Sequence, residues 1–166
     1  MAFNTNTAQG TVVYTSGEWK SGNVLANDLE LVSDTTLTAI PALSIPVAKY
    51  ERVAFRLWLD VDNKAAGDFS WSVTVPASAT SFRARRVTPE IPISGDITEK
   101  VTFETTGTGI GAQDAVGTDS AYYIQLEGVF QNGANIGAID IKVAQKTSSA
   151  TATTVKAGSY VEYQRY

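Results

Sequence analysis

The stretch Phe69-Ser70-Trp71-Ser72-Val73-Thr74-Val75 decides the fold. Large apolar side chains occupy every second position, and small hydroxyl side chains fill the positions between. Residues two apart share a face only in an extended strand; a helix needs its apolar groups three and four apart. Serine and threonine between the apolar residues suit a pleated surface with one wet face. The same period extends outward in both directions. Val53, Phe55, Leu57 and Leu59 alternate with Ala54, Arg56, Trp58 and Asp60. Val101 and Phe103 alternate with Lys100, Thr102 and Glu104, and Ile139, Ile141 and Val143 with Asp140, Lys142 and Ala144. Tyr122, Ile124, Leu126 and Phe130 share one face with Gly128 between them, while Gln125 and Glu127 take the other. From Ser159 to Tyr166, Val161 and Tyr163 oppose Tyr160, Glu162, Gln164 and Tyr166. No stretch carries a helical period, so the chain is expected to be all-β.

Composition narrows the chemistry. With 166 residues and 43% hydrophobic content the chain is long enough for one domain with a sizeable core. It has no Cys, which excludes disulfides, thiolate catalysis and zinc sites with Cys ligands. It has no His, which removes the side chain best suited to proton transfer near neutral pH. Charged residues make up 18%, and 20 Thr and 13 Ser supply most of the remaining polarity. A net charge of −4 argues against nucleic acid as a partner, because phosphate binding needs a basic stripe. No apolar run reaches the roughly 18 residues that span a bilayer. The stretch Met1 to Gly10 has neither a basic run nor an apolar core, so no secretory signal is expected, and the protein is expected to be released in the cytoplasm of whatever cell makes it.

Punctuation between the strands sets the architecture. Gln131-Asn132-Gly133-Ala134-Asn135 joins two strong strands, and Asn-Gly favours the positive φ angles of a tight hairpin. Residues 62–68 connect the Val53 and Phe69 strands. Pro41, Pro46, Pro76, Pro89 and Pro92 mark strand ends or edges, since proline cannot donate to a ladder. Gly107 to Thr118 is the longest gap and reads as a surface loop. Residues 1–28, poor in core residues, are expected to be an extended or flexible arm. Residues 29–166 are expected to form a single-domain antiparallel β-sandwich, jelly-roll-like, with about eight strands.

Few groups offer chemistry. Asp60, Asp62, Asn63 and Asp68 resemble a calcium loop, but Lys64 stands where an oxygen ligand belongs and no closing Glu follows. Gly107, Gly109 and Gly111 lack the spacing and the following Lys-Ser/Thr of a phosphate loop. Glu127 and Asp140 are the one carboxylate pair that neighbouring strands would put on a common face, the arrangement a glycosidase needs. Outward acids on a sheet are ordinary solubility features, and no enzyme activity, cofactor or metal is expected. Arg83, Arg85 and Arg86 form a local positive patch on an acidic chain. It reads either as charge guarding an edge strand or as a dock for an acidic protein surface. Tyr160, Tyr166 and Trp58 are candidate subunit contacts, because exposed aromatics are enriched at interfaces. Trp19 and Trp58 are also candidate platforms for a sugar.

Three longer stretches add a resemblance. Thr36 to Ala48 leads into Tyr50 to Trp58; Ile124 to Phe130 leads through Asn132-Gly133 to Ile139 to Gln145; and Ala157 to Tyr163 follows. Over residues ~30–166 this order resembles small virion structural proteins of tailed bacteriophages, jelly-roll-like domains that serve as capsid decoration (cement) proteins or in tail fibres and spikes. The resemblance implies a homotrimer without enzymatic activity on the outer surface of the capsid, with the major capsid protein as its partner. Arg83, Arg85, Arg86 and the N-terminal arm are the expected shell contacts. A receptor- or carbohydrate-binding domain of a tail fibre or spike is the alternative.

Overall fold

The computed structural model describes residues 19–90, 98–105, 109–114 and 119–166. Among these the backbone forms thirteen strands, all paired antiparallel, and one turn of 3-10 helix at Pro41–Leu43. In chain order the strands are β1 (Lys20–Val24), β2 (Leu29–Leu31), β3 (Thr38–Ala39), β4 (Ile45–Val47), β5 (Arg52–Asn63), β6 (Phe69–Thr74) and β7 (Ser81–Glu90). They continue with β8 (Thr98–Thr105), β9 (Gly109–Asp114), β10 (Ser120–Gln131), β11 (Gly137–Gln145), β12 (Thr153–Val155) and β13 (Tyr160–Arg165). The larger sheet has eight strands along the path β1-β13-β5-β10-β7-β8, with β12 joining β5 to β2; the smaller has five, β3-β11-β6-β9 with β4 on β11. The all-β expectation holds, and the two sheets form a β-sandwich. Eight strands reach six residues, and the other five are shorter.

Alternation explains which face goes inside. In β5, Val53, Phe55, Leu57, Leu59 and Val61 are each at most 1% exposed, while Arg52, Arg56 and Asp60 between them are exposed. Phe69, Trp71 and Val73 of β6 and Ile139, Ile141 and Val143 of β11 supply the opposing layer. These residues belong to one continuous core cluster. Each such side chain contributes roughly 1.5–3 kcal/mol by leaving water, which offsets the ordering of the strands.

Three expectations change. The first concerns Asn132-Gly133, read above as a tight hairpin. β10 and β11 lie in different sheets, so this loop crosses between layers. Among the described residues the positive φ angles belong to Ser33, Tyr50, Asp68 and Gly158, not to Asn132 or Gly133. Gly133 is needed for a different reason: a Cβ there would lie 2.0 Å from the Ser78 carbonyl oxygen. Second, the expected loop over Gly107–Thr118 contains β9, in register with β6 from Phe69↔Asp114 to Thr74↔Gly109. Backbone pairing makes that strand, and glycines at 109 and 111 leave no alternating apolar signal to read. Residues 106–108 and 115–118 lie outside the described residues. Third, β7 is internal, between β10 and β8, so its arginines do not guard an edge.

Of the arm expected over 1–28, residues 20–24 form β1 on β13, and Leu25 exchanges backbone hydrogen bonds with the Gly158–Ser159 turn; residues 1–18 lie outside the described residues. Pro46 and Pro89 fall where a missing donor is tolerated, and Pro92 lies outside the described residues. Pro46 sits in the short edge strand β4. Pro89 lies in the part of β7 that extends past β10 and pairs β8 alone.

Candidate functional site

Two surface regions stand out, one on the outer face of the larger sheet and one at its end. In β5, β13 and β10 the register sets Tyr160 opposite Trp58, Glu162 opposite Arg56, and Gln125 and Glu127 opposite Trp58 and Arg56 on the other side. These positions alternate with the buried ones and so face away from the core. Tyr123, one pleat further along β10, stacks on Trp58 with ring centroids 4.4 Å apart and planes 8° from parallel. Diagonal neighbours on one face come within reach of aromatic rings in this way. The Arg56 guanidinium lies 4.2 Å from the centre of the Trp19 ring, and its Nε is 3.4 Å from Glu127 Oε1. The face is therefore a strip of aromatic rings bordered by paired charges and glutamines.

The second region is the end of the sandwich where β10 leaves for β11. Asn132 holds it. Its side-chain amide donates to Ala48 O at 2.7 Å and Asn135 O at 2.6 Å, and its Oδ1 accepts from Gly133 N at 2.9 Å and Ser78 Oγ at 3.1 Å. Tyr50 N donates to Gly133 O, Thr80 N to Gln131 O and Tyr166 N to Arg52 O, which joins the surrounding segments. On this anchored frame Tyr50 is 70% exposed and Ile136 74%, and Tyr166 and Val129 are exposed as well. A shallow groove of about 440 Å³ beside them is lined by Pro46, Val47, Ala48, Glu51, Ile136, Gly137 and Arg165. Its Arg165–Glu51 ion pair spans 3.0 Å, and Arg165 also donates to Pro46 O.

The residues singled out from sequence are distributed over both regions. Trp58 and Tyr160 meet on the outer face. Tyr166 lies at the loop end, about 20 Å further along at roughly 3.3 Å per strand residue. Arg83 is exposed and pairs Val129 in register, which puts it at the loop end too. Arg85 pairs Glu127 and Arg86 pairs Leu126 through the backbone; their side chains lie outside the described residues. Trp19 is half-buried beside Arg56.

The carboxylate pair is separated. Glu127 is on β10 of the larger sheet, beside Arg56, and Asp140 is on β11 of the smaller, where it accepts from Ser44 Oγ. The layer crossing at Asn132 defeats the assumption that consecutive strands are neighbours. In the resembled calcium loop, Asp62 pairs instead with the Lys64 ammonium at 3.0 Å, which raises the lysine pKa. Among the described residues no group of three or more acids is placed to hold a metal ion, and no helix is long and apolar enough to cross a membrane. Sequence reading missed Tyr123, Tyr50 and Ile136. Tyr123 carried a usable signal, an aromatic among Gln125 and Glu127 on the polar face of β10; Tyr50 and Ile136 lie in turns, where no periodicity exists to exploit.

No family model matches the chain, and no curated protein matches it. Solved structures that are similar include one of infectious bursal disease virus, Gx strain, at 8% identity, covering 99% of this chain and 42% of that one, with a TM-score of 0.22. Another is the VP2 subviral particle of the same virus, at 8% identity over 96% of this chain and 43% of that one, with a TM-score of 0.23. This chain spans less than half the length of either. At such TM-scores the likeness carries no argument about this protein.

Proposed function

We propose that the protein is a non-enzymatic virion structural protein of the capsid decoration type, which binds the outer shell as a trimer and stabilises the head by contact alone. The observation that carries this reading is the anchored loop end. Tyr50, Ile136, Tyr166 and Val129 expose apolar surface there, next to the exposed guanidinium of Arg83. Large apolar groups held rigidly in water favour a partner surface, because covering them needs little further ordering. Arg83 adds a group able to form bidentate bonds with carboxylates across such a contact. A protein that binds the assembled shell and not its expanded forms stabilises the shell by mass action. The sequence resemblance over residues ~30–166 points the same way.

The test has two parts. Light scattering at micromolar concentration is expected to give a trimer mass, and Ile136→Asp is expected to shift it towards monomer. Particles carrying Arg83→Glu or Ile136→Asp are expected to lose DNA at lower temperature and lower salt than wild type. Survival equal to wild type in both variants, with a monomer mass for the native chain, would overturn the proposal.

A further inference from the structure

Around the Trp58–Tyr123 stack the outer face of the larger sheet carries side chains of a particular kind, and the loop end begins one pleat beyond Glu127, at Val129 and Arg83. Outward positions on β5, β10 and β13 around the stacked pair carry Arg56, Trp58, Gln125, Glu127, Tyr160 and Glu162. Flat rings alternate with planar hydrogen-bonding groups at these positions, and the first large exposed aliphatic side chain along β10 is Val129, one pleat beyond Glu127. The rings and Arg56 would suit a protein partner as well, but Glu127 and Glu162 set among them would not, since the centres of protein interfaces are depleted in Glu and Asp. Nucleic acid would want a surplus of positive charge, whereas Arg56 here is matched by Glu127.

We infer that the Trp58–Tyr123 face is a binding site for neutral oligosaccharides. A pyranose presents C–H groups on its flat faces and hydroxyls around its rim. The electron-rich face of an indole or phenol ring attracts the C–H side. A few polar groups placed at the rim then fix orientation. Trp58 and Tyr123 cover one face of each other and hold each other upright, so the stack needs no ordering when a sugar arrives. Glu127 and Glu162 accept from sugar hydroxyls, and Gln125 both donates and accepts. Arg56, held between the Trp19 ring and Glu127, is fixed as a donor to ring or hydroxyl oxygens. Among the described side chains beside the stack, Arg56 is engaged by Glu127, and Asp60 and Glu162 repel an anionic sugar, which selects neutral hexosides. This goes beyond shell binding: a particle decorated by the protein would carry many weak sugar sites, and many weak sites acting together raise avidity.

The experiment titrates the full-length protein with triacetylchitotriose and with cellotriose, following the three tryptophan indole N–H signals by NMR. The Trp58 signal is expected to shift saturably at millimolar sugar, while Trp71, 1% exposed in the core, stays in place. Trp58→Ala, read at the Trp19 indole beside Arg56, and Tyr123→Ala, read at Trp58, are each expected to weaken binding by roughly tenfold or more. Glu127→Ala changes a partly exposed side chain outside the core and is expected to weaken binding severalfold; Tyr123→Phe keeps the ring and binding near wild type. The inference is overturned if neither sugar produces a saturable shift at Trp58. It is equally overturned if Trp58→Ala or Glu127→Ala, with the Trp71 signal native, binds as tightly as wild type.

Discussion

Gly128 is the position where a single methyl group tests the packing of the sandwich. It lies inward on β10, in register with Phe55 on β5 and Ala84 on β7. The missing side chain leaves room for the Phe55 ring, which passes over the glycine and stacks on Phe82 with centroids 6.0 Å apart and planes 10° from parallel. A Cβ on Gly128 would sit 2.6 Å from Phe55 Cε1, 2.7 Å from Cζ and 3.0 Å from the Arg83 carbonyl oxygen. Phe55 is fully buried, so the ring has nowhere free to swing.

Overpacking of this kind costs about 1–3 kcal/mol. Replacing a strand glycine returns roughly 0.5–1 kcal/mol of chain entropy, which leaves a net loss of about 1–2 kcal/mol for Gly128→Ala. At about 2–4 °C per kcal/mol for a domain of this size, the midpoint is expected to fall by roughly 2–8 °C. Thermal unfolding reads that midpoint, and guanidinium unfolding followed by tryptophan fluorescence and far-UV circular dichroism reads the free energy, with the slope m unchanged. The decisive variant is the double mutant. Phe55→Leu alone loses the stacked ring and costs stability; combined with Gly128→Ala it makes room for the methyl group. The pair is expected to be more stable than the sum of the singles by about 1 kcal/mol or more, as contacting residues show. Losses that add to within about 0.5 kcal/mol would refute the account of the glycine.

Gly133→Ala is expected to be worse than Gly128→Ala, because its Cβ meets the Ser78 backbone oxygen and no side chain can turn aside; equilibrium unfolding that ranks the two the other way would count against this. Asn132→Ala strands the carbonyls of Ala48 and Asn135 and is expected to cost about 2–3 kcal/mol, with amide exchange at Tyr50 and Gly133 rising first; unchanged exchange there would contradict the hub. Asp28 accepts from Ala157 N and from Lys156, and both hold its carboxyl below the usual carboxylate range. Its folded pKa is depressed, so its stabilising effect is present above the ordinary value and lost as pH falls through the folded one. Carboxyl NMR titration is expected to show that low midpoint, and Lys156→Met is expected to raise it; a midpoint at or above the ordinary value would defeat the assignment.

Strands were legible where side chains alternate, and their pairing was not. Phe69 to Val75 and Val53 to Asp60 announce themselves because a buried face and a wet face impose opposite chemistry on neighbouring residues. Partner choice leaves no such mark. Asn132-Gly133 between two strong strands has the composition of a hairpin, yet the asparagine spends its side chain tying Ala48, Asn135 and Ser78 together while the chain changes sheets. The same crossing separated Glu127 from Asp140. β9 was invisible because Gly109 and Gly111 contribute backbone hydrogen bonds and no pattern. Of the contact residues, Trp58 and Tyr160 were visible as aromatics on a polar face. Tyr123, which stacks on Trp58, needed the register of β10 on β5, which only the folded chain supplies.

That register also separates the two surface regions by cause. The loop end is rigid because polar groups converge on Asn132, and rigidity there is what lets Tyr50, with φ of 57°, and Ile136 stay exposed in water. The outer face is rigid because β5 pairs β10 and β13 along most of its length, so Trp58 is carried by the best-supported strand of the larger sheet. Loosening Asn132 therefore disturbs the loop end and leaves the Trp58–Tyr123 stack in place, whereas an alteration at Phe55 or Gly128 is felt on both faces of β5. Asn132→Ala is accordingly expected to impair the proposed trimer while the Trp58 indole signal keeps its native position. Movement of that signal in Asn132→Ala would mean that the two regions are one coupled surface.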